Sequence, residues 1–448
     1  VVSDVHYKDE ECIEEKRMKR GIELAYEIAE SSETYKKLDA IYVVGDFANS
    51  GTETQMRKFK KTLDDNKKPE TEYCLTLASH EFNRDNGGEE AALKRFTEIF
   101  NLPHDDHRVI NGFHFISLTT TNGCDFNDAK RDYAKKELKK AREDAPNKPI
   151  FFFQHPHITD TVSGSIYWGD ESLYPILMNY PQVFDFSGHS HVPINDPRSI
   201  FQKHFTALGT GSLSYFELDE FDKYYGTVPP QDNNCAQMLI VEANDKGQVR
   251  IYPYDILTEN FFPLTWEIDT PCDPDSFKYT DAIRYKNSKA PYFPDDFKAE
   301  FSDIASNQFT LTFSQAKPSD EYYVNDYIIT VKETATDLIV KKMGLWSEYY
   351  FYNMPETLSV TVDDLKDIKF DRISESWGSL TIDFLNKDEL KKAAEILVDK
   401  YDIEIFDEDP EELYIAVYDK LIKDSNDLQE IMGLFVGYSQ ALFGFYRR

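Results

Sequence analysis

The stretch Ile-Tyr-Val-Val-Gly-Asp occupies residues 41–46 and predicts the fold of the N-terminal region. Four apolar residues that end at a glycine are typical of a buried strand in a parallel sheet. Gly45 permits a sharp turn, after which Asp46 projects from the strand end. Ligands of open α/β sheets bind beyond the carboxyl ends of such strands, so Asp46 is a candidate site residue. Taken alone, the stretch has a simpler interpretation as a turn capped by an aspartate.

Length and composition predict several folded domains. The chain has 448 residues, of which 41% are hydrophobic and 14% are aromatic, which is ample for two or three packed cores. The net charge of −31 argues against sequence-independent nucleic-acid binding and against docking on anionic membranes, because both need basic surface. A phosphorylated substrate would need a local positive charge, which a bound metal ion can supply.

The cysteines do not indicate the compartment in which the protein is located, and the sequence contains no recognisable targeting segment. The five cysteines are scattered and form no Cys-x-x-Cys pair, so they indicate neither a disulfide framework nor a thiolate zinc site. The sequence shows no signal peptide and no membrane span. Because Val1-Val2-Ser3 resembles the end of a strand, we expect upstream residues, with a secretion signal among them, to precede it. The oligomeric state is not predicted.

The N-terminal part alternates between strand and helix patterns. We predict strands at 1–3, 41–44, 73–78, 113–118, 149–153 and 183–187, and helices at 10–31, 89–100 and 127–142. Another helix is predicted after Ser50-Gly51-Thr52-Glu53, which has the spacing of a capping box. Residues 205–254 show strand patterns only. This order predicts an α/β fold, completed by hairpins, over residues 1–256.

The C-terminal part has a different pattern of predicted secondary structure. Residues 257–298 are predicted to be a linker that packs on the first domain. Short strands at 309–313, 327–331, 358–362 and 380–382 predict a small β-sandwich over 299–385. Residues 386–448 carry helical periodicity and are predicted to form a helical region.

Residue types that bind metals follow the predicted strands. They are Asp4, His6, Asp46, Ser79, His80, His155, His189 and His191. Imidazole and carboxylate together suit zinc, iron or manganese. Side chains two residues apart in an extended segment point the same way, so Asp4 with His6 forms one pair and His189 with His191 another. The two oxygens and negative charge of Asp46 suit it to bridge two cations.

Each of these residues also has an ordinary structural interpretation. A lone histidine at a strand end is more often capped or solvated than bound to metal. We interpret His104, His107 and His157 in that way, although His157 is also placed to support the ligands from behind. The combination of such residues on successive strand ends is what predicts a metal site.

The chain resembles the calcineurin-like metallophosphoesterase family over about residues 1–255. The resemblance rests on the blocks Asp4-Val5-His6, Gly45-Asp46, Ser79-His80-Glu81, His155 and Gly188-His189-Ser190-His191. It implies a four-layer αββα sandwich and two divalent cations, of manganese, iron or zinc. By position, one cation would be bound by Asp4, His6, Asp46 and His191. The other would be bound by Asp46, Ser79, His155 and His189.

The chain departs from the family pattern at Ser79. The family has Gly-Asn-His-Glu/Asp, whereas this chain has Ala78-Ser79-His80-Glu81. In the family the asparagine amide oxygen binds the second metal. A serine hydroxyl is shorter and a weaker donor, so the resemblance implies a weak second site. The chain also has Phe47 in a stretch where purple acid phosphatases carry an iron-binding tyrosine, which argues against a purple iron–tyrosinate site.

The resemblance further implies hydrolysis of a phosphate monoester or diester of a small substrate. A hydroxide that bridges the cations would attack phosphorus, and His80 would assist the leaving group as the general acid. The loops at 160–170 and 209–220 are expected to set specificity, but they carry no diagnostic motif. The alternative is a catalytically weakened or inactive protein of this fold that acts as a surface binding module, with Ser79 marking a decayed site.

A second resemblance concerns the predicted β-sandwich. Residues 309–313, 326–331 and 354–365 are similar to strands B, C and E of a fibronectin type III module, with Tyr327 as a core aromatic and Phe370 in place of the usual corner tyrosine. Such modules imply an extracellular or cell-surface location, with a cytoplasmic one left open. A β-sandwich without a separate function is the alternative.

Overall fold

The computed structural model describes residues 1–218, 226–287, 289–305, 307–319, 323–332 and 339–365. The chain divides into two compact units, residues 1–283 with 291–371 and residues 284–290 with 372–448. The elements below belong to the first unit, apart from the end of α6. Phe370, the predicted strand at 380–382 and the predicted helical region lie outside the described residues. The predicted domain boundaries therefore stay predictions.

The described residues form helices and strands in alternation, then mainly strands. The helices are α1 (Ile13–Ser31), α2 (Glu53–Asn66), α3 (Gly88–Phe100), α4 (Asp128–Asp144), α5 (Tyr174–Leu177) and α6 (Asp281–Asn287). The first ten strands are β1 (Ala40–Val44), β2 (Glu72–Thr76), β3 (Asp106–Ile110), β4 (Phe113–Ser117), β5 (Ile150–Phe153), β6 (His157–Ile158), β7 (Gly169–Asp170), β8 (Val183–Ser187), β9 (Ile200–Gln202) and β10 (Thr206–Gly209). The others are β11 (Gln237–Ala243), β12 (Val249–Asp255), β13 (Asn260–Phe261), β14 (Trp266–Ile268), β15 (Ala299–Ser302), β16 (Phe309–Ser314), β17 (Asp326–Lys332), β18 (Ile339–Trp346) and β19 (Thr357–Val362).

Three local predictions differ from the structure. The predicted strand at 1–3 is reduced to one parallel bridge between Val2 and Val43, because the chain turns at once into the loop that carries Asp4. The capping box is formed by Thr52 and Gln55 rather than by Ser50 and Glu53. The edge strand β3 was not predicted, since it is polar and only partly buried.

The central sheet is mixed and has the strand order β3-β4-β5-β8-β10-β9. Its inner pairs are parallel and its two outer pairs are antiparallel. Strands β1 and β2 form a separate parallel pair. The N-terminal segment connects this pair to β11, because Val2 bridges to Val43 and Val1 exchanges backbone hydrogen bonds of 2.8 and 3.0 Å with Leu239.

Side-chain alternation along the strands separates three apolar clusters. Tyr42 and Val44 of β1 pack in one cluster with Phe151 and Phe153 of β5. The opposite face of β1 packs with α1, α2 and α3, and the opposite face of β5 packs with α4 and α5. This period of two is the pattern expected of strands buried on both faces. The mixed α/β prediction is therefore confirmed.

The C-terminal region adds two further sheets. Strands β15, β16 and β19 form one antiparallel sheet, and β17 pairs with β18 in another. The likeness of this region to a fibronectin type III module stays a prediction. Within the described part of the chain, no helix has the length and apolar character needed to cross a bilayer.

Candidate metal centre

The loops at the carboxyl ends of the strands are joined by backbone hydrogen bonds. The amides of Val5 and His6 donate to the carbonyl of Asp46 at 2.9 and 3.0 Å. The amide of Gly188, just beyond β8, donates to the carbonyl of His155 at 2.9 Å. Because parallel strands end at the same edge of their sheet, the residues that follow β1 and β2 lie together, as do those that follow β5 and β8. His155, after β5, links the two edges because its Nδ1 lies 2.6 Å from the Val44 carbonyl of β1.

The Asp46 carboxylate is buried among three of these loops. Its Oδ1 accepts the backbone amide of His80 at 3.0 Å, and its Oδ2 accepts the Ser79 hydroxyl at 3.1 Å. His155 Nε2 lies 3.0 Å from the same Oδ2. Asp46 is 1% exposed, so solvent contributes little to stabilising its charge. The charge of Asp46 therefore depends on these neighbours.

Asp4 carries an oxygen that lacks a conventional partner. Its Oδ2 accepts the Ser3 hydroxyl at 2.5 Å and the His189 amide at 3.1 Å. Its Oδ1 accepts no hydrogen bond from any residue that the structure describes, although His191 Nε2 lies 3.2 Å away. His6 Nε2 in turn lies 3.3 Å from His191 Nε2. Such close approach of donor atoms is expected where ligands converge on one cation.

Among the residues that the structure describes, three groups of side chains place their ligand atoms within 4.8 Å of one another. The groups are Asp4, His6 and His191; His6, Asp46 and His80; and Asp46, His155 and His189. The first and third match the core of the two predicted ligand sets. Ser79 is connected to the third group by the hydrogen bond that its hydroxyl donates to Asp46. The donor set fits manganese, iron or zinc, while the division of residues between two cations stays a prediction.

Backbone carbonyls orient three imidazoles. His155 Nδ1 lies 2.6 Å from the Val44 carbonyl, and His191 Nδ1 lies 3.0 Å from that of Tyr215. His80 Nδ1 lies 2.7 Å from the Asn49 carbonyl. Since a carbonyl only accepts, each Nδ1 carries the hydrogen, and each Nε2 is the nitrogen left to serve the site.

The carboxylates and two of the histidines set each other's charge. Burial alone would raise the pKa of Asp4 and Asp46, but the histidine charges outweigh it and hold both below their usual range. Burial alone would lower the pKa of His155, yet Asp46 and Asp4 raise it to about 10. The pKa of His191 is likewise raised by Asp4 against burial. Cations would displace these two protons, because imidazole binds metals in its neutral form.

The other two predicted histidine ligands are held neutral. Burial lowers the pKa of His6 to about 3, and the charge of His191 acts in the same direction. Burial lowers the pKa of His189 to about 4, with a further contribution from His155. Both imidazoles are therefore available to a metal at neutral pH without losing a proton.

The backbone of the site is strained. Five of the predicted ligands have left-handed φ angles: Asp4 at 52°, His6 at 55°, Asp46 at 49°, His189 at 73° and His191 at 55°. Non-glycine residues adopt this region at a cost of about 1–2 kcal/mol each. Clustered strain of this kind is typical of functional sites that the surrounding structure holds in place.

Glu81 has a role that sequence reasoning missed. Its buried carboxylate accepts the amides of Asp46 at 3.1 Å, Ala48 at 2.8 Å and Ala78 at 3.0 Å. It thereby ties the loop after β1 to the loop after β2. Burial, and then the charge of Asp46, raise the pKa of Glu81 to about 8. The sequence block Ala78-Ser79-His80-Glu81 contains Glu81, but residue identity alone does not show what Glu81 does.

Three histidines outside the predicted ligand set keep structural roles. His157 places Nδ1 at 2.8 Å from the Ser187 hydroxyl and Nε2 at 2.6 Å from that of Ser190. Both of its ring nitrogens are thus engaged, and it supports Ser190, which lies between two predicted ligands. His104 is hydrogen-bonded to the Leu93 carbonyl of α3, and His107 to the Glu137 carboxylate of α4, both outside the site.

The two loops predicted to set specificity each place an aromatic ring against a histidine. Trp168 meets His189 edge to face with ring centroids 5.3 Å apart. Tyr215 packs on His191 with centroids 4.0 Å apart. Both aromatic residues are half-buried. Spacing along the sequence gave no signal for these contacts.

Comparison with known proteins locates the family resemblance. Residues 1–193 match the model of the calcineurin-like phosphoesterase family, which confirms the predicted resemblance over those residues. No curated protein matches the chain. Among solved structures, a purple acid phosphatase isolated from yellow lupin (Lupinus luteus) seeds is similar at 15% identity and a TM-score of 0.41, with 56% of this chain and 49% of that chain covered. The present chain thus spans about half the length of that phosphatase.

Replacing Gly45 tests how tightly the centre is packed. Gly45 has φ +79°, and an added Cβ would lie 2.4 Å from His155 Nδ1. Gly88 shares a positive φ, of +65°, but has open space around it, so Gly88→Ala is the matched control. We expect Gly45→Ala to lower the free energy of unfolding by about 1–3 kcal/mol more than Gly88→Ala, because of overpacking. Urea denaturation measures both, and equal losses would contradict the packing described here.

Proposed function

We propose that the chain is a metal-dependent phosphoesterase that hydrolyses a phosphate monoester or diester of a small substrate. One observation carries this proposal: among the described residues, the Asp46 carboxylate lies in two groups of potential ligands, each of which also contains two imidazoles. The family match over residues 1–193 supports it. Small phosphorylated substrates also suit a chain of net charge −31, since they need only local positive charge.

Two divalent cations would be bound by the residue sets predicted above. Asp4, His6, Asp46 and His191 would hold one, and Asp46, Ser79, His155 and His189 the other. When bound, such cations neutralise phosphoryl oxygens and lower the pKa of the attacking water. Asp46 would keep the cations together, because its negative charge offsets their repulsion.

His80 is the proposed general acid. Its Nδ1 donates to the Asn49 carbonyl, which leaves Nε2 to carry or release a proton. Its ring meets His6 edge to face at 4.4 Å between centroids, and it is half-buried rather than fully enclosed. These contacts support a residue that borders the centre and reaches the leaving oxygen of a substrate.

We further propose the four-layer αββα order for this region. It is supported by the three apolar clusters, one with α1, α2 and α3, one shared by β1 and β5, and one with α4 and α5. The extracellular or cell-surface location remains a proposal that rests on the sequence alone.

A panel of phosphate esters assayed with Mn²⁺, Fe²⁺ and Zn²⁺ tests the function, and His80→Ala tests the mechanism. We expect the variant to keep its metal content and to lose about 10²–10⁴-fold in kcat/KM on alkyl esters, because a general acid is removed. A nitrophenyl ester, which needs no protonation of its leaving group, should lose much less.

The matched control for this substitution is His104→Ala, which removes a histidine outside the site. Its activity should equal that of the wild type. Equal losses of His80→Ala on alkyl and nitrophenyl esters would contradict the general-acid role. A wild-type protein without metal-dependent turnover on any ester would contradict the proposed function and favour the inactive binding module.

Ser79→Asn tests whether Ser79 weakens the second site. An asparagine amide oxygen reaches further than the serine hydroxyl and is a stronger neutral donor. We therefore expect the weaker of the two cation affinities to rise by roughly tenfold or more, the scale seen for single changes around metal sites. Calorimetric titration with Mn²⁺ measures it, with Ser79→Ala as the control. Unchanged affinities in both variants would show that position 79 does not touch a cation.

A further inference from the structure

The two loops that hold His191 also contact the C-terminal β region, by which we mean strands β15 to β19 and the described turns between them. One is the 212–218 segment, and the other is the 192–196 loop, which directly follows His191. Both meet residues 346–351, the last residue of β18 and the turn that follows it, which we call the bracing segment.

The 212–218 segment fixes two of the predicted ligands. The Ser212 hydroxyl donates to the Asp4 carbonyl at 3.2 Å, and the Leu213 amide donates to the same carbonyl at 3.3 Å. The Tyr215 carbonyl accepts His191 Nδ1 at 3.0 Å, and the Tyr215 ring packs on the His191 ring. The orientation of His191 therefore depends on where this segment lies.

The other side of the same segment is buried against the bracing segment. Phe216 meets Tyr350 with ring centroids 5.3 Å apart and Phe351 with centroids 6.0 Å apart. Phe216 and Leu218 share an apolar cluster with Trp346, Tyr349 and Tyr350. Since Phe216 is bonded directly to Tyr215, movement of its ring would shift the carbonyl that His191 uses.

The 192–196 loop is held by buried polar contacts. The Asn195 side-chain amide donates to the Tyr349 carbonyl at 2.7 Å, and the Tyr349 hydroxyl donates to Asp196 Oδ2 at 2.7 Å. Asn195 and Asp196 are each 1% exposed. Loss of such a partner would leave a buried polar group without a hydrogen bond, which is unfavourable, so the loop has little freedom to move away from the bracing segment.

The bracing segment is itself rigidly attached to the C-terminal sheets. The Ser347 amide donates to the Asn325 carbonyl at 3.1 Å, and the Ser347 carbonyl accepts the Gln315 side-chain amide at 2.8 Å. Gln315 Oε1 accepts the Tyr327 hydroxyl at 3.0 Å. The chain of contacts from these sheets to His191 is thus continuous and buried.

We propose that the C-terminal β region completes the metal centre, with Tyr350 and Tyr349 of the bracing segment acting as positioning residues for the ligand His191. This inference rests on the proposed function, since it takes His191 to bind a cation. It gives the C-terminal β region a task at the site.

The test compares three full-length variants by Mn²⁺ titration calorimetry. Tyr350→Ala removes the ring that holds Phe216, and Tyr350→Phe keeps it. Ile329→Ala, in the buried face of β17, disturbs the same region without touching the bracing segment. We expect Tyr350→Ala to weaken one cation affinity by about 10–100-fold, the range for residues that orient metal ligands, and to leave the other unchanged. Tyr350→Phe and Ile329→Ala should keep both affinities.

A second readout follows the segment in the absence of metal. Hydrogen exchange measured by mass spectrometry should become faster at 212–218 in Tyr350→Ala and stay unchanged there in Ile329→Ala. If Tyr350→Ala does not fold, Tyr349→Phe decides, because it removes only the hydroxyl that Asp196 accepts and should still weaken one cation.

Two results would overturn the inference. One is wild-type affinity for both cations in Tyr350→Ala or, where that variant does not fold, in Tyr349→Phe. The other is equal weakening by Ile329→Ala, which would mean that general loss of stability is the cause. In either case a wild type that binds two cations and turns over phosphate esters leaves the proposed function standing. A wild type that binds none removes both.

Discussion

The charge of Asp46 is the constraint on which the site depends. A carboxylate with 1% exposure needs compensating partners, because isolated buried charge is strongly unfavourable. The structure supplies the His80 amide and the Ser79 hydroxyl from the loop after β2, and His155 from the end of β5. Satisfying this one group therefore favours bringing the ends of β1, β2 and β5 together, where Asp46 has a left-handed φ of 49°.

Much of the site could be predicted because it follows from strand geometry. Apolar runs at 41–44, 149–153 and 183–187 mark buried strands, and the residues that follow each run lie at the carboxyl edge of its sheet. The residue types found there, carboxylate and imidazole, then point to metal. No three-dimensional information is needed for that step, which is why Asp4, His155 and His191 can be predicted as candidate ligands from the sequence.

The parts that sequence could not supply depend on contacts between distant residues. Glu81 accepts hydrogen bonds from three backbone amides. Every residue except proline has such an amide, so residue identity does not indicate which amides will be bound. Tyr215 contacts His191 through both its backbone carbonyl and its ring, and the sequence does not show either contact. Strand β3 was missed because an edge strand with one exposed face carries little apolar pattern. The capping box was misplaced by two residues because Ser50 and Thr52 both fit the motif.

The centre is one unit that is held from several sides. Glu81 fixes the loop of Asp46, backbone carbonyls fix three imidazoles, and the bracing segment lies behind Tyr215. We expect Ser79 to be the weakest member, since a hydroxyl that is hydrogen-bonded to Asp46 offers a cation less than an amide oxygen would. The expected consequence is two cation sites of unequal strength that share a single carboxylate.

The metal content of Asp46→Asn, compared with that of the wild type, tests whether two cations share the Asp46 carboxylate. The substitution keeps the size of the side chain and removes its charge. Elemental analysis after dialysis against Mn²⁺ should give two equivalents for the wild type and less than one for the variant, with circular dichroism showing that both are folded. A folded variant that retains both equivalents would contradict the shared role of Asp46.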